Sequence, residues 1–480
     1  MVALHIRFCR MRRKEARPRR TSSLLKGSRA LSNRGTMNTF RSLLSANEFR
    51  VDSSPAQDLT HRANALWLLT LVALFGLVTG CGGNSTQPPA TIAFESSRAL
   101  DGSDAVTGAG NIWLVKSDGS GATPLTKLTA GGAADFDVVW SPDGSKLAFD
   151  SFRALDGSNA ANPNNTFNVW VVNADGSGAK PLTTITAVSL RGSTEPHWSP
   201  DGQKLAFGSD RALDGSDAAF ADGTENIWLV NADGSGTTPV TKLTTVGGSS
   251  FSPRWSPDGS KIAFLSLRAL DGSDAGNRGG CNVWMVNSDG SGATPLTRLT
   301  SPVSCGDSLA WSPDGSKLVY ESTRALDGTD ASNGSANNFW MMSADGSGAT
   351  PLTRYNTFNQ LSEIVWAPDG SKLAFVSDRA LDGADAANTN SSLNLWVVNA
   401  TGSAATPLTM LTASRVNAFN PRWAPDGSEL SFSSNRSMDG GNAANTNGAY
   451  NIWLVNADGS SPVPVTGLQN ASSFLAEWKP

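Results

Sequence analysis

The stretch FSPRWSPDGSKIAFLSLRALDGSDAGNRGGCNVWMVNSDGSGATPLTRLT, residues 251–300, shows the pattern that decides the fold. Short apolar or β-branched runs alternate in it with Gly, Pro, Asp and Asn, which is typical of strands joined by tight turns. We name the predicted strands A to D in chain order: A ends at the Trp of WSPDG, B is KIAFLS, C is NVWMVN and D is TPLTRLT. No run is long enough for a helix, so the stretch predicts one antiparallel sheet of four strands.

This unit recurs seven times after residue 90, and the Arg of its RALDG phrase marks each copy at a spacing of 55 to 58 residues. The arginines are Arg98, Arg153, Arg211, Arg268, Arg324, Arg379 and Arg436. Of the 15 Trp residues, 14 divide as two per unit, one at the end of A and one in C. We assign both to packing between units, with a ligand-stacking platform as the alternative. Such a repeat predicts an all-β, seven-bladed β-propeller of four-stranded antiparallel blades.

The two ends of the repeat region complement each other. The region opens at ATIAFESSRALDG with a B strand that no A strand precedes, and it stops at SFLAEWKP with an A strand that no B strand follows. We therefore expect the C-terminal A strand to join the N-terminal B, C and D strands in one composite blade. This arrangement would close the ring and remove exposed sheet edges.

The segment ANALWLLTLVALFGLVTGCGGNST, residues 63–86, is apolar up to Cys81 and too short for a comfortable membrane span. Its LVTGC stretch resembles the lipobox of bacterial lipoprotein signal peptides, which implies cleavage before Cys81 and a lipid on its thiol. An uncleaved signal anchor is the alternative. We expect residues 1–36 to be an extension from a misplaced translation start or a basic interaction tail, 37–80 the signal peptide, 81–90 a flexible tether and 91–480 the propeller.

Charge divides the chain unequally. The first 80 residues contain 14 Lys and Arg against 4 Asp and Glu, whereas the rest contains 24 against 38. An acidic propeller is a poor nucleic-acid binder, so no nucleic-acid partner is expected. Cys281 and Cys305 bracket one C–D hairpin, and in an exported protein such a pair is expected to form a disulfide.

The motifs WSPDGSKLAF, WSPDGQKLAF and WSPDGSKIAF, each followed later by runs such as NIWLVNADGSG, closely resemble the WD40-like (PD40-type) repeats of the TolB propeller and its relatives. The resemblance implies an envelope protein whose propeller docks another protein. The chain departs from TolB in having seven units where TolB has six blades, in showing no α/β domain ahead of the propeller, and in its lipobox. Similar repeats precede the hydrolase domain of prolyl oligopeptidases, but neither such a domain nor a GxSxG motif is present. The one His after the lipobox, His197, is expected at a blade edge or a channel wall.

The RALDG phrase lies in the B–C connections, which are the longest loops of each unit, and long loops on a rigid scaffold often carry binding. Each phrase holds an Asp or Asn pair three residues apart. The candidate ligand or calcium residues are Asp101, Asp104, Asp214, Asp217, Asp271, Asp274, Asp327, Asp330, Asp382 and Asp385. Such oxygens suit Ca²⁺; in the competing interpretation, each Asp caps its own turn and the Arg pairs with a neighbouring Asp.

These observations predict an exported, membrane-anchored lipoprotein in the periplasm or at the cell surface. We expect a monomeric, TolB-like platform that binds an envelope protein, that contacts the membrane through its lipid only, and that is not an enzyme. No cofactor is expected, with calcium as the exception left open. The alternatives are a carbohydrate-binding or carbohydrate-processing propeller and a purely structural surface protein.

Overall fold

Each repeat folds into one antiparallel sheet of four strands, and seven such sheets form the blades of a β-propeller. The computed structural model describes residues 88–480, apart from 190, 215, 217, 221–222, 246, 274, 278–279, 301–302, 358, 385 and 403–404. The predictions for residues 1–36 and 37–80, for Cys81 and for most of the tether lie outside the described residues. Within the described part, no helix has the length and hydropathy that crossing a bilayer requires.

In chain order the strands are β1 Thr91–Arg98, β2 Val106–Lys116, β3 Thr123–Pro124, β4 Asp135–Trp140, β5 Lys146–Ser151, β6 Asn168–Asn173, β7 Lys180–Pro181, β8 Ser193–Trp198, β9 Lys204–Ser209, β10 Asn226–Asn231, β11 Thr238–Pro239, β12 Ser250–Trp255, β13 Lys261–Ser266, β14 Asn282–Asn287, β15 Thr294–Pro295, β16 Leu309–Trp311, β17 Lys317–Ser322, β18 Asn338–Ser343, β19 Thr350–Pro351, β20 Leu361–Trp366, β21 Lys372–Ser377, β22 Asn394–Asn399, β23 Thr406–Pro407, β24 Ala418–Trp423, β25 Glu429–Ser434, β26 Asn451–Asn456, β27 Val463–Pro464 and β28 Ser473–Trp478. Blade 1 has the order β28-β1-β2-β3, and blades 2 to 7 take the remaining strands four at a time in chain order.

The composite blade predicted from the chain ends is confirmed. Strand β28 pairs antiparallel with β1, with Ile92 opposite Trp478 and Ser96 opposite Ser473. The indole N–H of Trp478 donates to the carbonyl of Arg422 in blade 7 at 3.1 Å, and that of Trp140 in blade 2 donates to Glu477 at 3.1 Å. The last strand of the ring is therefore held by hydrogen bonds on both sides.

The A strands form the inner wall of the ring, since each contacts the A strand of the next blade all the way round. The C-strand Trp residues are 0 to 2% exposed and pack between blades, which confirms their assignment to the core. They are Trp113, Trp170, Trp228, Trp284, Trp340, Trp396 and Trp453. The propeller thus encloses a central channel lined by the A strands.

The D strands are much shorter than predicted, with two residues each. In blade 3 the ladder stops at Pro239, and the buried Asn226 then takes over the pairing: its Oδ1 accepts the N–H of Leu243 at 2.7 Å and its Nδ2 donates to the Leu243 carbonyl at 3.0 Å. An equivalent Asn begins the C strand of blades 2 and 4 to 7, and in blade 1 it lies within the longer β2; these residues are Asn111, Asn168, Asn282, Asn338, Asn394 and Asn451. Side-chain pairing therefore replaces the outer strand, where a Pro cannot donate a ladder hydrogen bond.

Candidate functional site

The first Asp of each repeated phrase serves its own turn. Its Oδ1 accepts the N–H two residues later at 2.8 to 2.9 Å in every blade. The residues are Asp101, Asp156, Asp214, Asp271, Asp327, Asp382 and Asp439. Hydrogen bonds from the hydroxyl and the amide of the following Ser lower the pKa of Asp101, Asp214 and Asp271. These carboxylates act as turn caps.

The second Asp of the phrase ties two connections together. Asp104 accepts the backbone N–H groups of Gln469 at 2.8 Å and Ala471 at 2.9 Å, and Asp330 accepts that of Thr300 at 2.8 Å. Burial would raise the pKa of Asp104, but the backbone hydrogen bonds outweigh it and lower the pKa. Each of these two carboxylates joins its B–C loop to the D–A connection that leads into the same blade, so both connections lie on one face, which we call the loop face.

In blade 1 the two carboxylates of the pair bind different backbone groups. Asp101 is bound to its own turn, while Asp104 is surrounded by N–H donors, which a cation would have to displace. The partners predicted at Asp217, Asp274 and Asp385 lie outside the described residues. Among the residues that the structure describes, no group of three or more His, Cys, Asp or Glu is arranged to hold a metal ion.

The repeated Arg lies over the C-strand Trp of its own blade, a contact that the sequence did not predict. The distance from the guanidinium carbon to the ring centroid ranges from 4.0 Å at Arg98 to 5.5 Å at Arg379. Arg268 also donates from Nη2 to the carbonyl of Gly272 in the loop at 2.7 Å. The Arg therefore fastens the loop to the blade through a cation–π contact and a carbonyl.

Sequence reasoning missed a second set of polar residues, which lines the channel. In most blades the residue three before the A-strand Trp is non-Gly with a positive φ, for example 51° at Asp137, 56° at Glu195 and 57° at Glu363. Each of these positions coincides with a register shift in the A–B pairing, that is, with a bulge. Bulges redirect side chains, and here they leave these carboxylates partly accessible on the inner wall.

Each of the seven blades contributes one charged residue to the channel. We call them the channel ring: Asp137, Glu195, Arg254, Asp307, Glu363, Arg422 and Glu477. Burial and the charge of Arg422 lower the pKa of Arg254. The carboxylates of Glu195, Asp137 and Asp307 raise it, but burial is the largest effect. These partners belong to blades 2, 3, 5 and 7, so the charges influence one another across the channel.

Ion pairs and hydrogen bonds connect the ring between neighbouring blades. Arg422 forms a salt bridge with Glu477, and their side chains are 28% and 21% exposed. Burial opposes the charge of Arg422, but Glu477 and Glu363 outweigh it and raise its pKa. The Oγ of Ser252 donates to Glu195 at 3.2 Å. The channel wall is thus a connected polar surface.

His197 lies on the channel wall in β8, one residue before Trp198. Burial and then the charge of Arg254 lower its pKa to about 3, so its imidazole is neutral at physiological pH. Within the described residues, its Nδ1 has no hydrogen-bond partner. Among the described residues, His197 therefore lacks the carboxylate that orients the His of a Ser-His-Asp relay.

Aromatic side chains form two clusters on one side of the loop-face end of the channel. Phe152 stacks on Phe167 at 3.6 Å between ring centroids, with Phe136 at 5.8 Å from Phe167. In a second cluster, Tyr450 lies 5.9 Å from Phe419 and 5.1 Å from Phe474. We call the six rings the mouth aromatics. All are half-buried, and they belong to the consecutive blades 7, 1 and 2.

The structure joins Cys281 and Cys305 as a disulfide, with their Cα atoms 5.5 Å apart. Cys281 precedes β14, and Cys305 lies in the connection to β16 on the loop face. The bond therefore links blade 4 to the entry of blade 5. It stays a prediction for the protein in solution, which a free-thiol assay on unreduced protein would test.

No family model matches this chain. It is 30% identical over 141 residues to the "Uncharacterized peptidase YuxL" of Bacillus subtilis (strain 168), a match that covers 29% of this chain and 18% of that protein. The chain spans 18% and 60% of the length of the first two curated relatives that it matches.

Solved structures share the propeller fold. A prolyl endopeptidase structure matches with a TM-score of 0.52 and 12% identity, over 76% of this chain and 46% of that chain. A structure of TolB from Acinetobacter baumannii matches with a TM-score of 0.41 and 15% identity, over 77% of this chain and 79% of that chain.

The prediction that the protein is not an enzyme is wrong. A relative named as a peptidase shares part of the sequence, and a prolyl endopeptidase shares the fold. The prediction relied on the lack of a GxSxG motif and on a single His, but a fold decides neither the presence nor the class of an activity.

Proposed function

We propose that this chain is an exported, membrane-anchored propeller of the cell envelope that binds a protein partner at the mouth of its channel on the loop face. The anchor is Cys81, whose LVTGC context resembles a lipobox. The protein partner is what the resemblance of the W[SA]PDG repeats to those of TolB implies. Mass spectrometry of the mature protein tests the anchor: a chain beginning at lipid-modified Cys81 supports it, and an intact peptide across Gly80 and Cys81 in most molecules contradicts it.

The clustering of the mouth aromatics beside the channel ring carries this proposal. Aromatic residues and Arg are enriched at protein interfaces, and Tyr and Arg are among the residues that contribute most of the binding energy. The turns of the opposite face carry small and charged residues instead, such as those around Asp175, Asp233 and Asp289. The loop face is therefore the better docking surface.

Affinity capture from detergent-solubilised envelopes tests the docking face. A variant with Tyr450→Ala and Phe474→Ala should lose most of the captured partner, because truncating central aromatic anchors weakens binding strongly. The matched control replaces Asp175 and Asp233 by Ala on the opposite face and should capture as the parent does. Equal capture by both variants, with melting temperatures near that of the parent, would contradict the proposal.

The same aromatic clusters favour carbohydrate binding as a second candidate function. Phe167 and Tyr450, which look scattered in the sequence, each belong to a cluster at the mouth. Sugar rings stack on such faces as protein side chains do. Binding of a defined oligosaccharide that disappears in the Tyr450→Ala variant would select this candidate over a protein partner.

A further inference from the structure

We propose that the channel mouth recognises an extended, basic segment of its partner, with a Lys or Arg side chain held in the channel ring and an aromatic or apolar side chain on the mouth aromatics. This inference rests on the proposed function and adds the chemistry of the partner.

The charge of the channel gives the first reason. The channel ring formally contains five carboxylates and two guanidinium groups, and Arg422 already has Glu477 and Glu363 as partners. The chain beyond residue 80 is itself acidic, with 38 Asp and Glu against 24 Lys and Arg. Carboxylates outnumber guanidinium groups in the channel ring, and a net negative charge between walls of low dielectric attracts ligands of the opposite sign.

Two buried carboxyl groups behind the channel wall, those of Glu95 and Asp150, are affected by the carboxylates of the channel. Burial, then Asp137, raises the pKa of Glu95, and burial, then Asp137, Glu95 and Glu195, raises that of Asp150. Asp150 is 1% exposed, and its Oδ1 has no hydrogen-bond partner among the described residues. Burial is the larger cause of these shifts, but the channel carboxylates Asp137 and Glu195 add to them, as a negative potential at the channel wall requires.

The positions of the aromatic rings give the partner its second feature. The mouth aromatics lie over blades 7, 1 and 2, whereas Glu195, Arg254 and Asp307 lie on blades 3, 4 and 5. A ligand that contacts both the mouth aromatics and these three charged residues must therefore cross the mouth. An extended peptide does so readily, because it presents side chains at regular intervals along its length. Aromatic faces also attract the cationic residues of such a segment.

Other ligand classes fit the mouth less well. Nucleic acid is repelled by the acidic channel, because its binding depends on neutralising phosphates. A neutral sugar would use the aromatic rings but would gain nothing from the charges of the channel ring. A basic peptide can use both the aromatic rings and the negative charge of the channel ring, so it fits the mouth better than these ligands.

Binding of a short labelled peptide with two Arg and two Phe residues tests the proposal, against a matched peptide in which Glu replaces Arg. The basic peptide should bind and the acidic one should not. The key variant combines Asp137→Asn, Glu195→Gln and Asp307→Asn; Asn and Gln keep the shape of the wall, and Asn tolerates the positive φ at residue 137. It should weaken binding at least about tenfold, a loss expected when charges facing a ligand are removed.

The control variant carries Asp175→Asn, Asp233→Asn and Asp289→Asn on the opposite face, with the same change in net charge. It should bind the basic peptide like the parent. Equal loss in both variants, or equal binding of the two peptides, would overturn the inference. Melting temperatures near that of the parent show that each variant is folded.

Envelope capture separates this inference from the proposed function. If capture depends on Tyr450 and Phe474 but not on the three channel carboxylates, the proposed function stands and the basic chemistry of the partner is refuted. If capture depends on neither set, both proposals fail.

Discussion

Asn226 shows how one buried side chain fixes the outer edge of a blade. It is 0% exposed, and its amide satisfies both the N–H and the carbonyl of Leu243. The sequence shows this Asn at the start of every C strand, yet sequence reasoning read the following TPVTKLT as a full strand. The alternation of apolar residues and their strand propensity are the same in both cases. They could not show that a side chain, and not the backbone, makes the last hydrogen bonds of this edge.

Replacing Asn226 by Ala should therefore lower stability by about 1–3 kcal/mol, because buried backbone groups lose their partners. The control is Asn231→Ala at the other end of the same strand, where Nδ2 donates only to the Oγ of Ser235 on the surface. That variant should change stability by less than about 0.5 kcal/mol. Urea unfolding of both variants measures the difference, and equal losses would show that the buried Asn has no special role.

Glu321 predicts a pH dependence. Burial and the nearby Asp307 raise its pKa to about 8, so the folded protein holds this proton more tightly than the unfolded chain. The stability that this contributes is complete below the ordinary pKa of Glu and is lost as pH rises through about 8. The neutral variant Glu321→Gln lacks this dependence.

Melting curves between acidic and mildly alkaline pH check this prediction. Glu321→Gln should gain in melting temperature relative to the parent as pH rises towards 8, whereas Asp345→Asn, in an exposed turn of the same blade, should follow the parent. A difference between Glu321→Gln and the parent that does not change with pH would contradict the assigned pKa.

The ends and the pairing of the A strands could be predicted from the sequence, but the bulges within these strands could not. The Trp of W[SA]PDG locates the end of every A strand, and the complementary chain ends predict the pairing of β28 with β1. The bulges in the A strands were not predicted. Asp137, Glu195 and Glu363 adopt a positive φ there, which could not be inferred from their residue types. They need the geometry of the closed ring, which only the assembled blades impose.

Removing residues 473–480 should expose the edge of β1 and cause aggregation, because an unpaired central strand invites intermolecular pairing. Trimming only Lys479 and Pro480 keeps β28 and serves as the control. Light scattering during heating compares the two. Unchanged melting and solubility after loss of β28 would mean that the composite blade does not close the ring.

The whole molecule combines a regular scaffold with an irregular inner wall. The repeat made the seven blades and their closure predictable from the sequence alone. The B–C loops led sequence reasoning to the loop face, where we also propose the docking site. The first Asp of each phrase caps its turn, and Asp104 and Asp330 tie loops together. The residues of the channel ring and of the mouth aromatics differ from blade to blade, so they are not part of the repeated sequence pattern. They come together only when the ring of blades closes.

Photo-cross-linking in native envelopes tests the docking face most directly. A photoreactive amino acid at position 450, at the mouth, is compared with one at position 175, in a turn of the opposite face. We expect position 450 to form a discrete cross-link to an envelope protein and position 175 to form none. A cross-link from position 175 alone, or from neither position, would contradict a docking site at the channel mouth.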